Sequence, residues 1–432
     1  MRAAPRAGPD STLHVPWEWH TLGNGLRVVL SPDPTAAVVG VNLWYGVGSR
    51  NERSGRTGFA HLFEHMMFQG SANVPKNRHF ELVERAGGSL NATTWFDRTN
   101  YFETLPSHHL ELALWLESDR MGWLVPALTE ETLSNQRDVV KNEKRQRYDN
   151  QPYGDWDERL QAMVFPSDHP YHHTVIGSMA DLDAATLDDV VDFFGTYYVP
   201  SNAVLTIAGD APPERALEAA ARWFGEIPAG SPIPPLPGHP DPGPRIGGTV
   251  RDRVRARVPL PRVLIAFRVP TFLDPRFHAV EVAGAVLGAG RASRLYRTLV
   301  RERRVAKDVA SFVYPLITGS SMMVIWATGY PGADPAALEA ALVEQVEGLA
   351  SATEAEVARA VALTDTRFVR MLEQVSERAD LLSMFTFLFD DPDRLNREME
   401  LIRAVTGEDV RAVAERWLGP DNRAVLAYEP AP

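Results

Sequence analysis

The chain contains no cysteine. Disulfide scaffolds, thiolate metal sites and cysteine nucleophiles are therefore excluded, and any metal must be held by histidine and carboxylate. Lysine is scarce as well: only 4 of the 44 basic residues are Lys, a bias that points to a G+C-rich bacterial genome rather than to an activity. No run approaches the roughly 18 uninterrupted apolar residues that would span a bilayer. Met1 to Asp10 lacks the apolar stretch of a secretory signal, so the expected location is cytoplasmic. Positive charge is in deficit, with 44 Lys and Arg against 56 Asp and Glu and a net charge of −12. That balance argues against nucleic-acid binding; it suits a cationic or unfolded peptide and equally serves solubility.

At 432 residues and 44% apolar composition, the chain is an ordinary globular protein of two to four domains, at roughly 100–200 residues per domain. Eight of the seventeen residues from Pro228 to Pro244 are proline, which rules out helix or central strand and reads as an extended, semi-rigid linker. On either side the sequence repeats itself. Asp189-Val190 followed by Pro200-Ser201-Asn202 returns as Asp409-Val410 followed by Pro420-Asp421-Asn422, with Asp and Asn thirteen residues apart in both copies and an offset of 220. Each copy reads as a helix (187–197 and 407–417), a Pro/Asn turn and a short apolar strand (203–207 and 424–428). The expected architecture is α+β: two homologous domains, 1–227 and 245–432, each an antiparallel-rich sheet packed with helices, joined by the 228–244 linker. In the first domain, 26–30, 37–45, 89–94 and 99–105 read as strands. Helical spacing covers 58–69, 110–122 and 130–146.

His61-Leu62-Phe63-Glu64-His65 carries the chemistry. Positions i and i+4 lie on one face of a helix, so both imidazoles can reach one ion, while Glu64 beside that face can approach a water at the metal. This is the His-x-x-Glu-His order, the reverse of His-Glu-x-x-His; a helix that merely displays two surface histidines is the plainer alternative. A catalytic zinc wants three protein ligands and an open position, which requires a downstream carboxylate. The 136–146 segment supplies candidates: Glu143 follows Val139-Val140 on or beside the inward face, and Asp138 sits half a turn away. The vicinal pairs His108-His109 and His172-His173 read as pointing to opposite sides of a strand, in loop or surface roles.

These residues resemble the pitrilysin and mitochondrial processing peptidase family of inverted zincins, in its short two-domain bacterial form. The likeness rests on Gly58 to Gly70, on Gly87-Gly88-Ser89-Leu90-Asn91-Ala92-Thr93-Thr94 with Thr99-Asn100-Tyr101, on Arg137 to Glu143, and on His169-Pro170-Tyr171 and Ile176-Gly177. The resemblance implies one zinc ion per chain held by His61, His65 and Glu143, with Glu64 as general base of a metalloendopeptidase that cleaves peptides or presequence-like segments. It further implies two such chains enclosing a chamber, and places Asn91 and Ala92, on an edge strand, beside the scissile peptide. Gln136 stands where many members carry a second glutamate, so it can hydrogen-bond near the metal without adding charge.

The 220-residue offset puts Glu281, Gly284 and Ala285 in the places of His61, Glu64 and His65, so the second half is expected to bind no catalytic zinc. The family's Arg and Tyr pair for the substrate carbonyl is expected around 309–329, a stretch with no Arg. The expected partner is therefore a homologous subunit without the zinc motif. A homodimer using Arg291 or Arg294 is the alternative assembly, and a non-catalytic structural or peptide-binding subunit the alternative function.

Overall fold

The computed structural model describes residues 2–3 and 14–431. Apart from Arg2 and Ala3, the Met1 to Asp10 segment lies outside the described residues. The strands are β1 (Arg2–Ala3), β2 (Glu18–Thr21), β3 (Arg27–Pro32), β4 (Val38–Tyr45), β5 (Ser89–Thr94), β6 (Thr99–Pro106), β7 (Ala203–Gly209), β8 (Gly248–Ala256), β9 (Arg262–Val269), β10 (Ala306–Tyr314), β11 (Ser321–Gly329) and β12 (Asn422–Pro430). The helices are α1 (Phe59–Met66), α2 (Arg78–Arg85), α3 (Leu110–Trp123), α4 (Glu130–Lys144), α5 (Trp156–Val164), α6 (Met179–Ala184), α7 (Leu187–Tyr197), α8 (Pro213–Phe224), α9 (Phe277–Gly288), α10 (Pro335–Glu347), α11 (Glu354–Leu372), α12 (Val375–Phe389), α13 (Arg394–Arg403) and α14 (Gly407–Trp417). Among the described residues no helix is long and apolar enough to cross a membrane.

The chain forms two compact α+β units, each drawing on both sequence halves. The first comprises the residues up to Asn142, Val175–Pro237 and Val369–Glu398; the second comprises Glu143–Thr174, Gly238–Phe368 and the residues from Met399 onward. In the first unit the sheet order is β1-β2-β3-β7-β4-β6-β5. Its pairs are antiparallel except β3 with β7. Strands β4 and β7 are buried along nearly their whole length. Successive side chains of a strand point to opposite faces, so both faces are covered; α12 and α3 pack on β4. Strand β5 ends the sheet, with β6 on one side only.

The second unit repeats this plan. Its order, β10-β11-β9-β12-β8, corresponds strand for strand to β5-β6-β4-β7-β3, and its single parallel pair, β8 with β12, matches β3 with β7. Its core joins Val263, Ile265 and Phe267 of β9 to Val280, Ala283 and Val286 of α9. The duplicated turns agree in detail. Thr186 and Thr406 form capping boxes with Asp189 and Asp409. The Asn202 amide donates to Tyr197 O at 2.9 Å and the Asn422 amide to Trp417 O at 2.6 Å.

Two helix ends differ from the sequence expectation. Helix α1 stops at Met66, and residues 67–69 tighten into i to i+3 bonds, Phe68 N to His65 O at 3.2 Å and Gln69 N to Met66 O at 3.0 Å, before Gly70 turns the chain at φ 109°. Helix α4 ends at Lys144 and widens into a π turn over Arg145–Asp149. The 228–244 stretch carries no helix or strand.

Candidate metal centre

Helix α1 buries Phe59, Ala60, Leu62, Phe63 and Met66 and leaves His61, Glu64 and His65 half-buried. Its start is set by Gly58, whose φ of 87° favours glycine and which offers no capping side chain. A carboxylate from farther back replaces the cap: Glu52 Oε2 accepts from Gly58 N at 2.8 Å and Oε1 from Ala60 N at 2.7 Å. The backbone of Ile176 lies against this turn, so close that a Cβ on Gly58 would meet Ile176 O at 2.7 Å. Thr57 secures the same loop, donating through N and Oγ1 to Asp181 Oδ2 at 2.9 and 2.6 Å. The Ile176-Gly177 motif is thus a seat for the helix start.

Helix α4 buries Leu133, Gln136, Val140 and Lys144. Glu143, three residues beyond Val140, is half-buried beside this stripe, whereas Asp138 and Glu131 are exposed. The expectation that Val139 shares the inward face is corrected, since it is 41% exposed; the stripe runs through Leu133, Gln136, Val140 and Lys144. Residues 130–142 of α4 belong to the first unit and Glu143 follows directly on the same helix. Ligand atoms of His61, His65 and Glu143 lie within 4.8 Å of one another, and the two imidazole centroids are 4.8 Å apart at 78°. Donors on a tetrahedral ion with bonds near 2.1 Å are roughly 3.4 Å apart, a gap that small side-chain rotations close. Two imidazoles and one carboxylate are a donor set that fits zinc. Arg147 Nη1, one turn on, lies 2.8 Å from Glu143 Oε1.

Glu64 is held from the neighbouring sheet edge: Thr94 Oγ1, the last residue of β5, donates to Glu64 Oε2 at 2.6 Å. Upstream on β5, Asn91 is exposed and Ala92 buried, and Asn91 Oδ1 accepts from Ala92 N at 2.9 Å. Gln136 is only 6% exposed, two turns before Glu143.

A second His and carboxylate cluster, His79, Glu103 and Glu117, is wholly buried. Here a guanidinium takes the place a cation would have, because Arg120 engages both oxygens of Glu117, with Nε to Oε2 at 2.9 Å. On α9 the counterparts Glu281, Gly284 and Ala285 bring no imidazole at the motif positions, and most of that helix is core.

The remaining motifs are structural. His169 Nδ1 accepts from Tyr171 N at 3.0 Å and Nε2 donates to Pro240 O at 3.1 Å; burial depresses its pKa to about 4, consistent with this neutral tautomer. Tyr171 OH accepts from Thr318 N at 3.0 Å. His108-His109 lie between β6 and α3 in a 3-10 turn over Ser107–His109, in keeping with a loop role, with ring centroids 4.2 Å apart.

Residues 27–169 match the family model described as insulinase (peptidase family M16), and residues 184–364 match the peptidase M16 inactive domain. Zinc protease PqqE of Helicobacter pylori is 33% identical over 415 residues, spanning 94% of this chain and 91% of that protein. The crystal structure of a protease from Helicobacter pylori superposes with a TM-score of 0.91 at 30% identity, over 96% of this chain and 100% of that one. A peptidase M16 inactive domain from Pseudomonas fluorescens shares the fold at 17% identity, with a TM-score of 0.84 over 96% of this chain and 98% of that one. With most of its length inside those two family models, and 33% identity to a zinc protease over nearly the whole chain, the chain belongs to peptidase family M16, the insulinase family.

Proposed function

We propose that this chain is a zinc-dependent endopeptidase acting on extended or presequence-like peptides, with one ion held by His61, His65 and Glu143. The observation that carries the reading is the convergence of those three ligand atoms within 4.8 Å beside a carboxylate, Glu64, anchored to a sheet edge. The ion, when bound, supplies Lewis acidity to polarise the scissile carbonyl and acidify a water. Glu64 takes the proton of the attacking water and delivers it to the leaving amine. The outer edge of β5 receives the peptide as an added strand, and the Asn91 amide that now caps Ala92 N turns aside to admit it. Gln136 supports the site from the buried face of α4 without adding charge.

The working assembly in this reading is a heterodimer around a chamber, the partner being a homologous subunit without the zinc motif. The Arg-free span 309–329, which forms most of β10 and β11, supports it. So does the commitment of Arg294, whose Nε and Nη2 bind Glu356 at 2.8 and 2.7 Å. A non-catalytic subunit is the second reading, favoured by the description of the model over residues 184–364; that span lies outside all four motif residues.

Zinc content of the purified protein and hydrolysis of fluorogenic peptides, alone and with a companion subunit, test these readings. The Glu64→Gln variant should keep its zinc and lose about 10²–10⁴-fold in turnover. Failure to bind zinc sinks the metal site, zinc binding without turnover in either form leaves the non-catalytic subunit, and full activity as a homodimer sinks the heterodimer.

A further inference from the structure

We infer that Thr94 is a positioning residue: its hydroxyl aims the Glu64 carboxylate, so the strand that receives the peptide also orients the base. The inference rests on the reading of Glu64 as general base.

A hydroxyl has one proton and a carboxylate only accepts. The 2.6 Å bond therefore has one polarity: Thr94 donates to Oε2 and fixes the direction of the carboxylate. Glu64 is half-buried, and a long side chain on a helix surface loses rotamer freedom only where something holds it. Thr94 can do so because its own strand is clamped. Thr93 Oγ1 donates to Asn100 Oδ1 at 2.5 Å, and Arg98 Nη1 donates to Thr93 O at 2.8 Å. Asn100 Nδ2 donates in turn to Asp380 Oδ1 at 2.9 Å. The end of β5 is thus fixed by β6 and by Asp380 of α12, while among the described residues no strand pairs with its outer edge.

The test compares Thr94→Val, which removes the hydroxyl at constant shape, with Thr94→Ser, which keeps it. The valine variant should lose about 10–100-fold in kcat with KM within about twofold, and the serine variant should recover most of the loss. Zinc content should be unchanged in both. A readout free of turnover is a cycle of Thr94→Val, Glu64→Ala and the double variant in zinc-free protein: the urea midpoint of the double variant should shift by less than the sum of the single shifts. Wild-type kcat in the valine variant, or additive midpoints, overturns the inference. If valine blocks folding, Thr94→Ala is read against Thr94→Ser in the same assays. Absence of turnover in every preparation would defeat the peptidase reading, and the midpoint cycle would still decide the bond.

Discussion

Glu52 closes the helix that carries Ala60, accepting that residue's N–H at 2.7 Å while its other oxygen takes Gly58 N at 2.8 Å. The carboxylate is 5% exposed, and burial raises its pKa well above the usual range. Two of the orphan donors of α1 are thereby satisfied, and the register of the next residue, His61, is fixed. Glu52→Ala should cost about 1–3 kcal/mol and weaken zinc binding together with stability, with Glu52→Gln milder because one acceptor survives. Chemical denaturation and zinc titration check this; unaltered zinc affinity in the alanine variant would show that α1 keeps its register without the cap.

The Glu103 and Glu117 carboxyls of the buried cluster should make stability fall as pH rises from 4.5 through about 7. Burial lifts the Glu103 and Glu117 carboxyls from 4.5 to about 7 and lowers His79 to about 3. His79 Nε2 lies 2.8 Å from Glu103 Oε1, Asp119 is held by Ser71 and Asn73, and the Arg120 guanidinium lies over the Tyr101 ring. A carboxyl raised in the fold gives stability that is full below the unfolded pKa and lost as pH climbs through the folded one. His79 acts oppositely, its neutral folded form losing stability as pH drops below 6.5. Glu103→Gln keeps an acceptor for His79 without the charge, so its stability relative to wild type should improve between pH 5 and 8, on the order of 1–3 kcal/mol. Thermal unfolding curves that stay parallel across that range would refute it.

Asp380 lies on α12 and accepts from Asn42 and Asn100 at 3.3 and 2.9 Å. Burial raises its pKa and Arg98 opposes that rise, while burial lowers the pKa of Arg98 itself. Asp380→Ala removes the largest of three negative charges acting on the Arg98 guanidinium, Glu64 and Asp97 being the others, along with the acceptor of Asn42 and Asn100, and should cost about 1–3 kcal/mol. Asp380→Asn should cost less. Equilibrium unfolding of the two variants against wild type gives the comparison, and equal midpoints for all three would rule the interaction out.

For the metal itself, Glu143→Gln should weaken zinc retention against a chelator, because a neutral amide replaces an anionic donor, and Asp138→Asn should leave it unchanged. Full zinc occupancy and activity in Glu143→Gln would transfer the third ligand to another carboxylate.

The parts of this molecule readable from sequence are those governed by local periodicity. The spacing of His61 and His65 specifies their shared face. The agreement of Asn202 with Asn422 at an offset of 220 foreshadows two sheets of one plan, and alternation marks β5 and β6. Local patterns misled where a single turn changed geometry. Val139 reads as inward because an apolar pair hides which member faces the core, and it is 41% exposed. The support for Glu64 and α1 had no local signature. Thr94 is 30 residues from Glu64, Glu52 lies in a loop of unremarkable composition, and Asp380 is 280 residues from Asn100.

The exchange of segments between the two compact units bears on how the chain is made. Helix α12, late in the sequence, packs on β4 and β7 of the first sheet, and α5, early in the sequence, packs on β12 of the second. A ribosome releasing the first 237 residues presents β4 and β7 without α12, so their apolar faces wait for a segment still more than a hundred residues from synthesis. Pairing across such separations is slow because loop closure precedes its reward. Both sheets must therefore finish late and together, and a chain truncated at the proline-rich stretch would expose strand faces that invite aggregation.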